Sequence, residues 1–175
     1  MTARTYPDEP ADGFPSPPTS FSDRDGREIE LRPFDDGDVD AVTEMYVNFD
    51  PEDRAQGVPP VGEERVRNWL GTLTENGHNV VAWRDDEVVG HATLVPDTEG
   101  GYELAIFVHQ DYQGAGIGTH LIRNLLGYGA DEGVDKVWLT VERWNRPAVA
   151  LYEKVGFEVI DSESFEIEMS IRLSD

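Results

Sequence analysis

Cysteine is absent from the 175-residue sequence, lysine occurs only as Lys136 and Lys154, and long apolar runs are missing. Without cysteine, the chain can form neither a disulfide framework nor a thiolate metal site. Every hydrophobic run is shorter than ten residues, whereas a transmembrane helix needs roughly 20 apolar residues. The first residues also lack the apolar core of a secretory signal. We therefore expect a cytoplasmic protein with no membrane partner.

The scarcity of basic residues leaves a large excess of negative charge. The chain has 36 acidic and 14 basic residues, for a net charge of −22. This charge disfavours binding to nucleic acids and anionic membranes, which are recognised by basic patches. Acidic residues occur along the whole chain, which indicates adaptation of a halophile to molar salt, where the Debye length is about 3 Å and self-repulsion is screened. An acidic surface for a basic partner is the alternative interpretation.

The length corresponds to one domain preceded by a short tail. Residues 1–26 contain five prolines and few aliphatic residues, a composition that buries too little surface to offset the cost of ordering. We predict a flexible or loosely docked N-terminal arm for residues 1–26. Regular hydrophobic patterning begins after it, so residues 27–175 are predicted to form the folded domain.

The periodicity of this domain alternates between strands and helices. Period-2 and helical patterns follow one another in the order β-α-α-β-β-β-α-β-α-β-β, and one hairpin is predicted to turn at Asp85 and Asp86. Hairpins together with at least one parallel crossover predict an α/β fold with a mixed sheet covered by helices.

Three glycines lie in the segment YQGAGIG, residues 112–118, between a predicted strand and a predicted helix. A dinucleotide-binding turn would have the pattern G-x-G-x-x-G with an acidic residue about 20 positions later. Gly114, Gly116 and Glu142 fit this pattern, but Thr119 occupies the third glycine position. A P-loop is excluded because no G-K-[ST] follows. A glycine-rich turn that only tightens the junction of strand and helix is the structural alternative.

A different motif matches the segment from Gln113 to Gly118 at every position that the motif specifies. Gln113-x-x-Gly116-x-Gly118 resembles the pyrophosphate loop of the GNAT family of N-acetyltransferases. Such a loop directs amide N–H groups at a helix N-terminus toward one anion, without basic side chains. The resemblance implies acetyl-CoA as co-substrate and requires no metal. The loop residues that it assigns to the cofactor are Gln113, Gly114, Ala115, Gly116, Ile117, Gly118 and Thr119.

A second segment, NRPAVALYEKVGF at residues 145–157, resembles the downstream signature of the same family. Ala148 is small enough to leave room for the pantetheine arm of the cofactor, and Asn145 can pair with the amides of that arm. Tyr152 lies one helical turn after Ala148, on the same face. A core tyrosine with a satisfied hydroxyl is the alternative for Tyr152. The resemblance covers residues 28–173 and implies the GNAT fold: a mixed, mostly antiparallel sheet of about seven strands flanked by about four helices.

The resemblance also implies a reaction, in which a primary amine attacks the acetyl group of acetyl-CoA directly in a ternary complex. An ammonium group with a pKa of about 10.4 must first lose a proton to a general base. In the family, backbone N–H groups of the strand before the loop polarise the thioester carbonyl, and a tyrosine protonates the sulfur. These roles would fall here to the amides around Phe107 and Val108 and to the hydroxyl of Tyr152, and Ile106 is assigned to cofactor binding with them.

The candidate general base is Glu103, at the start of the same strand. The run YELAIFVHQDYQGAGIG resembles the corresponding run of prokaryotic protein-lysine acetyltransferases, whose catalytic glutamate occupies this place. The alternative is that Glu103 is one more solvated acid. His91 and His109 are weaker candidates and are interpreted as polar residues at strand ends.

Two classes of function follow from these residues. The favoured one is an acetyl-CoA-dependent N-acetyltransferase that acts on a protein lysine, a protein N-terminus or a small amine. The other is a non-catalytic module that binds an acyl-CoA as a sensor or scaffold. Glu103 and Tyr152 favour the enzyme, because a binding module needs neither. A monomer and a homodimer are both compatible with the sequence.

Overall fold

The computed structural model describes residues 4–50, 59–161 and 165–174. Within these ranges, eight strands form one sheet in the order β1-β2-β3-β4-β5-β6-β8-β7, flanked by four α-helices. The predicted α/β fold with a mixed, mostly antiparallel sheet is confirmed. The strands are β1 (Thr19–Ser22), β2 (Glu28–Pro33), β3 (His78–Arg84), β4 (Glu87–Pro96), β5 (Tyr102–Val108), β6 (Lys136–Glu142), β7 (Glu158–Asp161) and β8 (Glu166–Arg172). The helices are α1 (Val39–Val47), α2 (Glu63–Asn76), α3 (Ile117–Asp131) and α4 (Arg146–Val155).

Strand β1 lies inside the segment predicted as an arm and was not predicted. It pairs antiparallel with β2, from Thr19 opposite Leu31 to Ser22 opposite Glu28. Its one large apolar residue, Phe21, stacks on His120 of α3 at 3.7 Å between ring centroids. Main-chain bonds to β2 form this edge strand without a hydrophobic pattern of its own, and such bonds leave no periodic signal in the sequence.

The two faces of the sheet bury separate apolar clusters, because successive side chains of a strand point to opposite sides. On what we call the α3 face, α3 and α4 pack against alternate residues of the central strands, such as Leu104 and Leu139. On the α1 face, α1 and α2 pack against Val81, Trp83 and other residues of the intervening set. Each fully buried leucine or valine side chain contributes roughly 1.5–3 kcal/mol. No helix in the described part of the chain is long and apolar enough to cross a membrane.

Strands β5 and β6 pair in parallel over only two residue pairs, Tyr102 with Val137 and Glu103 with Trp138. Beyond these pairs β5 stays on β4 as far as Val108, while β6 stays on β8 along its whole length. The two strands therefore separate toward their C-terminal ends and leave a gap in the middle of the sheet. We refer to it below as the β5–β6 gap.

Candidate functional site

The glycine loop joins the C-terminal end of β5 to α3, next to the β5–β6 gap. Gly114 and Gly116 have φ values of +75° and +93°, in the left-handed region where residues with a side chain are strained. Gly116 is the N-cap residue of α3. The first N–H groups of α3 have no partner within the helix, and they face the loop at the positive end of the helix dipole. This geometry suits an anion such as a pyrophosphate.

Two further residues of the loop fix its position against the strand and against α4. The Nε2 atom of Gln113 donates a hydrogen bond to the carbonyl of Val108 at 3.0 Å. A Cβ atom added to Gly118 would lie 3.6 Å from Leu151 and 3.8 Å from Ile106. The first turn of α3, the middle of β5 and helix α4 therefore meet at Gly118. Gln113 thus holds the loop on β5, a role that its assignment to the cofactor did not include.

Arg24 lies at the mouth of the glycine loop and was not predicted as a site residue. Its Nη1 atom donates to the carbonyl of Gly114 at 3.2 Å, and its backbone N–H donates to the carbonyl of Ala115 at 3.1 Å. Its Nε atom is 4.0 Å from the position that a Cβ atom would take on Gly116. The contact joins residues about 90 positions apart, so no local motif could have revealed it.

The turn that carries Arg24 is fixed by the carboxylate of Asp23. This buried carboxylate accepts hydrogen bonds from the backbone N–H groups of Asp25 and Arg27, both at 2.9 Å. It also accepts one from the Nε atom of Arg27 at 2.7 Å. Hydrogen bonds from Arg27 lower the pKa of the Asp23 carboxyl against the opposing effect of desolvation. The guanidinium of Arg24 is therefore presented to the loop from a well-ordered turn.

The antiparallel register decides which amides of β5 face the gap. The N–H of His109 donates to the carbonyl of Val89 on β4 at 2.9 Å. Because N–H groups along a strand alternate in direction, those of Val108 and Ile106 point toward the gap, and that of Phe107 points toward β4. The Phe107 ring packs on the α1 face, 5.5 Å from Tyr46 between ring centroids. Of the strand residues assigned to the cofactor, Val108 and Ile106 therefore have amides directed toward the gap, whereas the amide of Phe107 is directed toward β4.

Helix α4 places Tyr152 on the α3 face of the gap. The side chain is buried in the cluster that also packs Ile106 and Val108, and its ring meets Phe157 edge to face at 6.0 Å. Burial raises the pKa of Tyr152 to about 12, so its hydroxyl stays protonated at neutral pH. That is the protonation state a proton donor requires. Ala148, one turn earlier, is half-buried against the same cluster.

Asn145 has a structural role that its predicted contact with the cofactor did not include. It is the N-cap residue of α4, and its Oδ1 atom accepts a hydrogen bond from the backbone N–H of Ala148 at 3.3 Å. An asparagine in this position satisfies one of the amides left unpaired at a helix start. The Asn-x-Pro sequence carries this signal, since proline is favoured in the first turn.

Glu103 lies on the α1 face, across the sheet from Tyr152, where β5 still pairs with β6. Its side chain is exposed to solvent, yet its pKa is raised above the ordinary value. Partial desolvation by the surrounding cleft is the largest cause, and the positive charge of Arg4 acts against it. Three further carboxylates add to the rise in pKa: Glu166, Asp97 and Glu168.

The two histidines differ in their surroundings. His91 is fully buried in the middle of β4, so its interpretation as a strand-end residue is wrong. Its ring nitrogens contact the Tyr46 hydroxyl at 2.6 Å and Oδ1 of Asn79 at 2.7 Å, and burial lowers its pKa to about 3. His91 is thus a neutral core residue that links α1, β3 and β4. His109 does follow the end of β5, where its Nδ1 atom accepts a hydrogen bond from the N–H of Asp111 at 3.2 Å.

A cavity of about 490 Å³ lies between α1 and the turn that joins β3 to β4. Its wall includes Met45, Arg84 and His109, but neither Glu103 nor Tyr152. The residues that fit acyl transfer surround the open β5–β6 gap instead. We therefore place the candidate site at the gap.

Comparisons with known proteins identify the family of the chain. Residues 39–157 match the model of the acetyltransferase (GNAT) family. A mycothiol acetyltransferase from Saccharomonospora viridis is 30% identical over 148 residues, which cover 77% of this chain and 47% of that protein. The chain spans about half the length of the curated relatives it matches, since an uncharacterized N-acetyltransferase from Mycobacterium bovis is covered to 57%.

Solved structures share the fold at low sequence identity. The GNAT domain of PAT from S. lividans superimposes with a TM-score of 0.75 at 16% identity, covering 89% of this chain and 96% of that one. The acetyltransferase yncA from Salmonella typhimurium, solved with acetyl-CoA, has a TM-score of 0.67 at 21% identity and covers 84% of this chain and 95% of that one. Since the family model matches well over half of the sequence, the chain belongs to the acetyltransferase (GNAT) family.

Proposed function

We propose that this protein transfers an acetyl group from acetyl-CoA to a primary amine by direct attack in a ternary complex. The observation that carries the proposal is the β5–β6 gap. An anion-binding loop lies at one end of it, a buried tyrosine on its α3 face and a carboxylate with a raised pKa on its α1 face. Donor and acceptor can then meet at the gap from opposite faces of the sheet. A module that only binds acyl-CoA needs no such pair of proton-transfer groups.

The donor side of the site fits a pyrophosphate. The left-handed glycines Gly114 and Gly116 leave the loop free of side chains, and the first amides of α3 supply hydrogen-bond donors. Arg24 adds a positive charge at the loop mouth. In a chain with a net charge of −22, this cation offsets the repulsion that a polyanionic cofactor would meet. Loop and helix thereby position the thioester at the gap.

The chemical step needs stabilisation of the carbonyl oxygen and three proton movements. The amides of Ile106 and Val108 can donate to the oxygen as negative charge develops on it. The ammonium group first loses one proton; the amine nitrogen then forms a bond to the carbonyl carbon and the carbon–sulfur bond breaks, while the nitrogen loses a second proton and the thiolate gains one. Glu103 and Ile106 are three residues apart on one strand, about 10 Å, so the proton is expected to reach Glu103 through a bridging water.

The sulfur leaves toward the α3 face, where Tyr152 is the candidate proton donor. With a pKa of about 12, its hydroxyl holds its proton more tightly than a thiol with a pKa of about 8.5. Full proton transfer before the carbon–sulfur bond breaks would therefore be unfavourable. We expect Tyr152 to hydrogen-bond to the developing thiolate, with any transfer coupled to bond cleavage.

A protein lysine is the acceptor that we favour. The run around Glu103 and the glycine loop resembles that of prokaryotic protein-lysine acetyltransferases. The test is release of free CoA from acetyl-CoA in the presence of a lysine peptide, a peptide with a free N-terminus, or a small amine such as spermidine. Acceleration by one of these supports the enzyme. Tight acetyl-CoA binding with no acceleration by any of them would favour the sensor or scaffold module.

We also propose that the acidic surface is an adaptation to high salt. At molar KCl the Debye length falls to about 3 Å, so repulsion among carboxylates is screened. The melting temperature should therefore rise steeply from dilute buffer to molar KCl. A melting temperature that stays flat would instead favour an acidic surface made for a basic partner.

A further inference from the structure

Residues 4–11 run past β6 and β8 beside Glu103, and the first of them lie on the α1 face. Ser170 of β8 donates its hydroxyl to the carbonyl of Thr5 at 2.8 Å. Arg172 donates its Nε–H to the carbonyl of Pro7 at 2.6 Å, and its own carbonyl accepts from the N–H of Ala11 at 2.7 Å. The contacts of Thr5 and Pro7 lie on the part of the α1 face, over β6 and β8, that α1 and α2 do not reach. We call residues 4–11 the strap.

Arg4 anchors the strap next to the candidate base. Its guanidinium lies 3.3 Å above the centroid of the Trp138 ring, and its Nε atom is 2.7 Å from Oε1 of Glu168. Trp138 is the direct neighbour of Glu103 across the β5–β6 pair. The guanidinium is close enough to Glu103 to act against the rise in its pKa. A positive charge of the chain itself therefore occupies the surface that an amine must cross to reach Glu103.

The surface beneath Arg4 is fixed rather than adaptable. The Trp138 Nε1 atom donates to Oδ2 of Asp97 at 2.9 Å, which holds the indole in place. Asp97 also accepts from the backbone N–H groups of Glu99 and Gly101, at 2.8 and 2.9 Å. An aromatic face beside a carboxylate binds guanidinium and ammonium groups through cation–π attraction and ion pairing.

The contacts of Arg4 are open to competition from solvent. The side chains of Arg4 and Glu168 are still 29% and 26% exposed, and ion pairs open to solvent contribute little stability. A second cation that approaches from solvent can compete for the same aromatic face and carboxylate. The Arg4 side chain can therefore yield this position to a competing cation while the hydrogen bonds of Thr5 and Pro7 hold the rest of the strap in place.

We propose that Trp138 and Glu168 form a cation subsite of the acceptor cleft, which the Arg4 side chain fills until a cationic group of the acceptor displaces it. The inference rests on the proposed acetyl transfer and narrows its acceptor to an amine that bears a second positive charge. One positive group lies over Trp138 while the reacting amine reaches the gap beside Glu103. A lysine next to another basic residue and a polyamine both have this character.

The test compares a singly charged amine, butylamine, with a multiply charged one, spermidine. Binding to the CoA-saturated protein is measured by calorimetry, and the KM for CoA release is measured at the same salt concentration. We expect tighter binding of spermidine than of butylamine. Arg4→Ala should strengthen spermidine binding by about threefold to tenfold, because the internal competitor is gone. In the Arg4→Ala background, Glu168→Gln should remove this gain and leave butylamine unchanged.

Arg32→Ala is the matched control. Arg32 also lies over a tryptophan, 4.5 Å from the centroid of the Trp83 ring, and pairs with Glu30 at 2.9 Å, but on β2. The Arg32→Ala variant should bind spermidine and butylamine with the same affinities as the wild type. Equal affinities of wild type and Arg4→Ala for spermidine would overturn the inference, as would an equal gain for both amines. If no amine, lysine peptides included, accelerates CoA release by the wild type, the proposed acetyl transfer fails instead.

Discussion

The two sides of the β5–β6 gap differ in the kind of chemical group that they present, main-chain amides on one side and side chains on the other. On the donor side that we propose, the binding groups are main-chain amides of the glycine loop and of β5, held by two glycines in the left-handed region. On the proposed acceptor side, they are side chains from separate strands, Glu103, Trp138 and Glu168, together with Arg4. Main-chain sites need a short contiguous sequence, whereas side-chain sites are assembled from distant segments. The donor is therefore easier to infer from sequence than the acceptor.

Substitution of Gly116 should have the largest effect, because it acts on the main chain of the donor side. Gly116→Val would place a branched side chain in the left-handed region at the N-cap of α3, where φ is +93°. We expect acetyl-CoA binding to be lost. At 100 times the dissociation constant, acetyl-CoA should stabilise the wild type by about 2.7 kcal/mol, and this thermal shift should be absent in the variant.

Gly133→Val is the control that separates the effect of backbone strain from the effect of losing the cofactor site. Gly133 also has a positive φ, +91°, with open space around its Cβ position, but it follows the other end of α3. This variant should lose stability and keep the full shift with acetyl-CoA. If both variants keep the shift, the glycine loop does not bind the cofactor.

Tyr152→Phe should have the next largest effect, on kcat alone. The phenylalanine ring keeps the packing against Phe157, so acetyl-CoA affinity should hardly change. We expect kcat to fall by about 10²–10³, within the range of positioned general acids. Tyr128→Phe, at a half-buried position near the C-terminal end of α3 that contacts His78, is the control and should turn over normally. Wild-type turnover by Tyr152→Phe, with chemistry shown to be rate-limiting, would make Tyr152 a packing residue.

Glu103→Gln tests the proposed base on the acceptor side through the pH dependence of kcat. The carboxylate is active only when ionised, and its raised pKa moves the loss of wild-type activity on acidification to a higher pH than for an ordinary glutamate. Without the base, the amine must lose its proton unaided, which becomes easier as pH approaches about 10.4. We expect kcat to fall by about 10² near pH 7 and to recover partly by pH 9. Parallel pH profiles of variant and wild type would exclude Glu103 as the base.

The same contrast explains which parts of the site could be predicted. The element order followed from periodicity, so the fold was predicted in outline. Gly116 and Tyr152 lie in contiguous motifs, so the donor side that we propose could also be inferred from the sequence. Strand β1 was not predicted, because main-chain pairing with β2 forms it without an apolar pattern. Arg4 pairs with a residue 164 positions away, and no local pattern records such a contact.

Arg24→Ala should have the smallest effect of these substitutions. It bears directly on the contrast between main-chain and side-chain groups, because it tests whether the donor side also depends on a side chain. The guanidinium contacts the carbonyl of Gly114 and lies at the loop mouth, so its loss removes one charge near the pyrophosphate. We expect the KM for acetyl-CoA to rise about tenfold, the effect of about 1.4 kcal/mol, with kcat unchanged. The rise should shrink as KCl is increased, since salt screens an exposed charge.

Arg32→Ala removes an equivalent charge from β2 and should leave this KM unaltered. If Arg24→Ala binds acetyl-CoA as the wild type does at every salt concentration, the donor side consists of main-chain groups alone. The turn at Asp23 would then only support the position of the glycine loop.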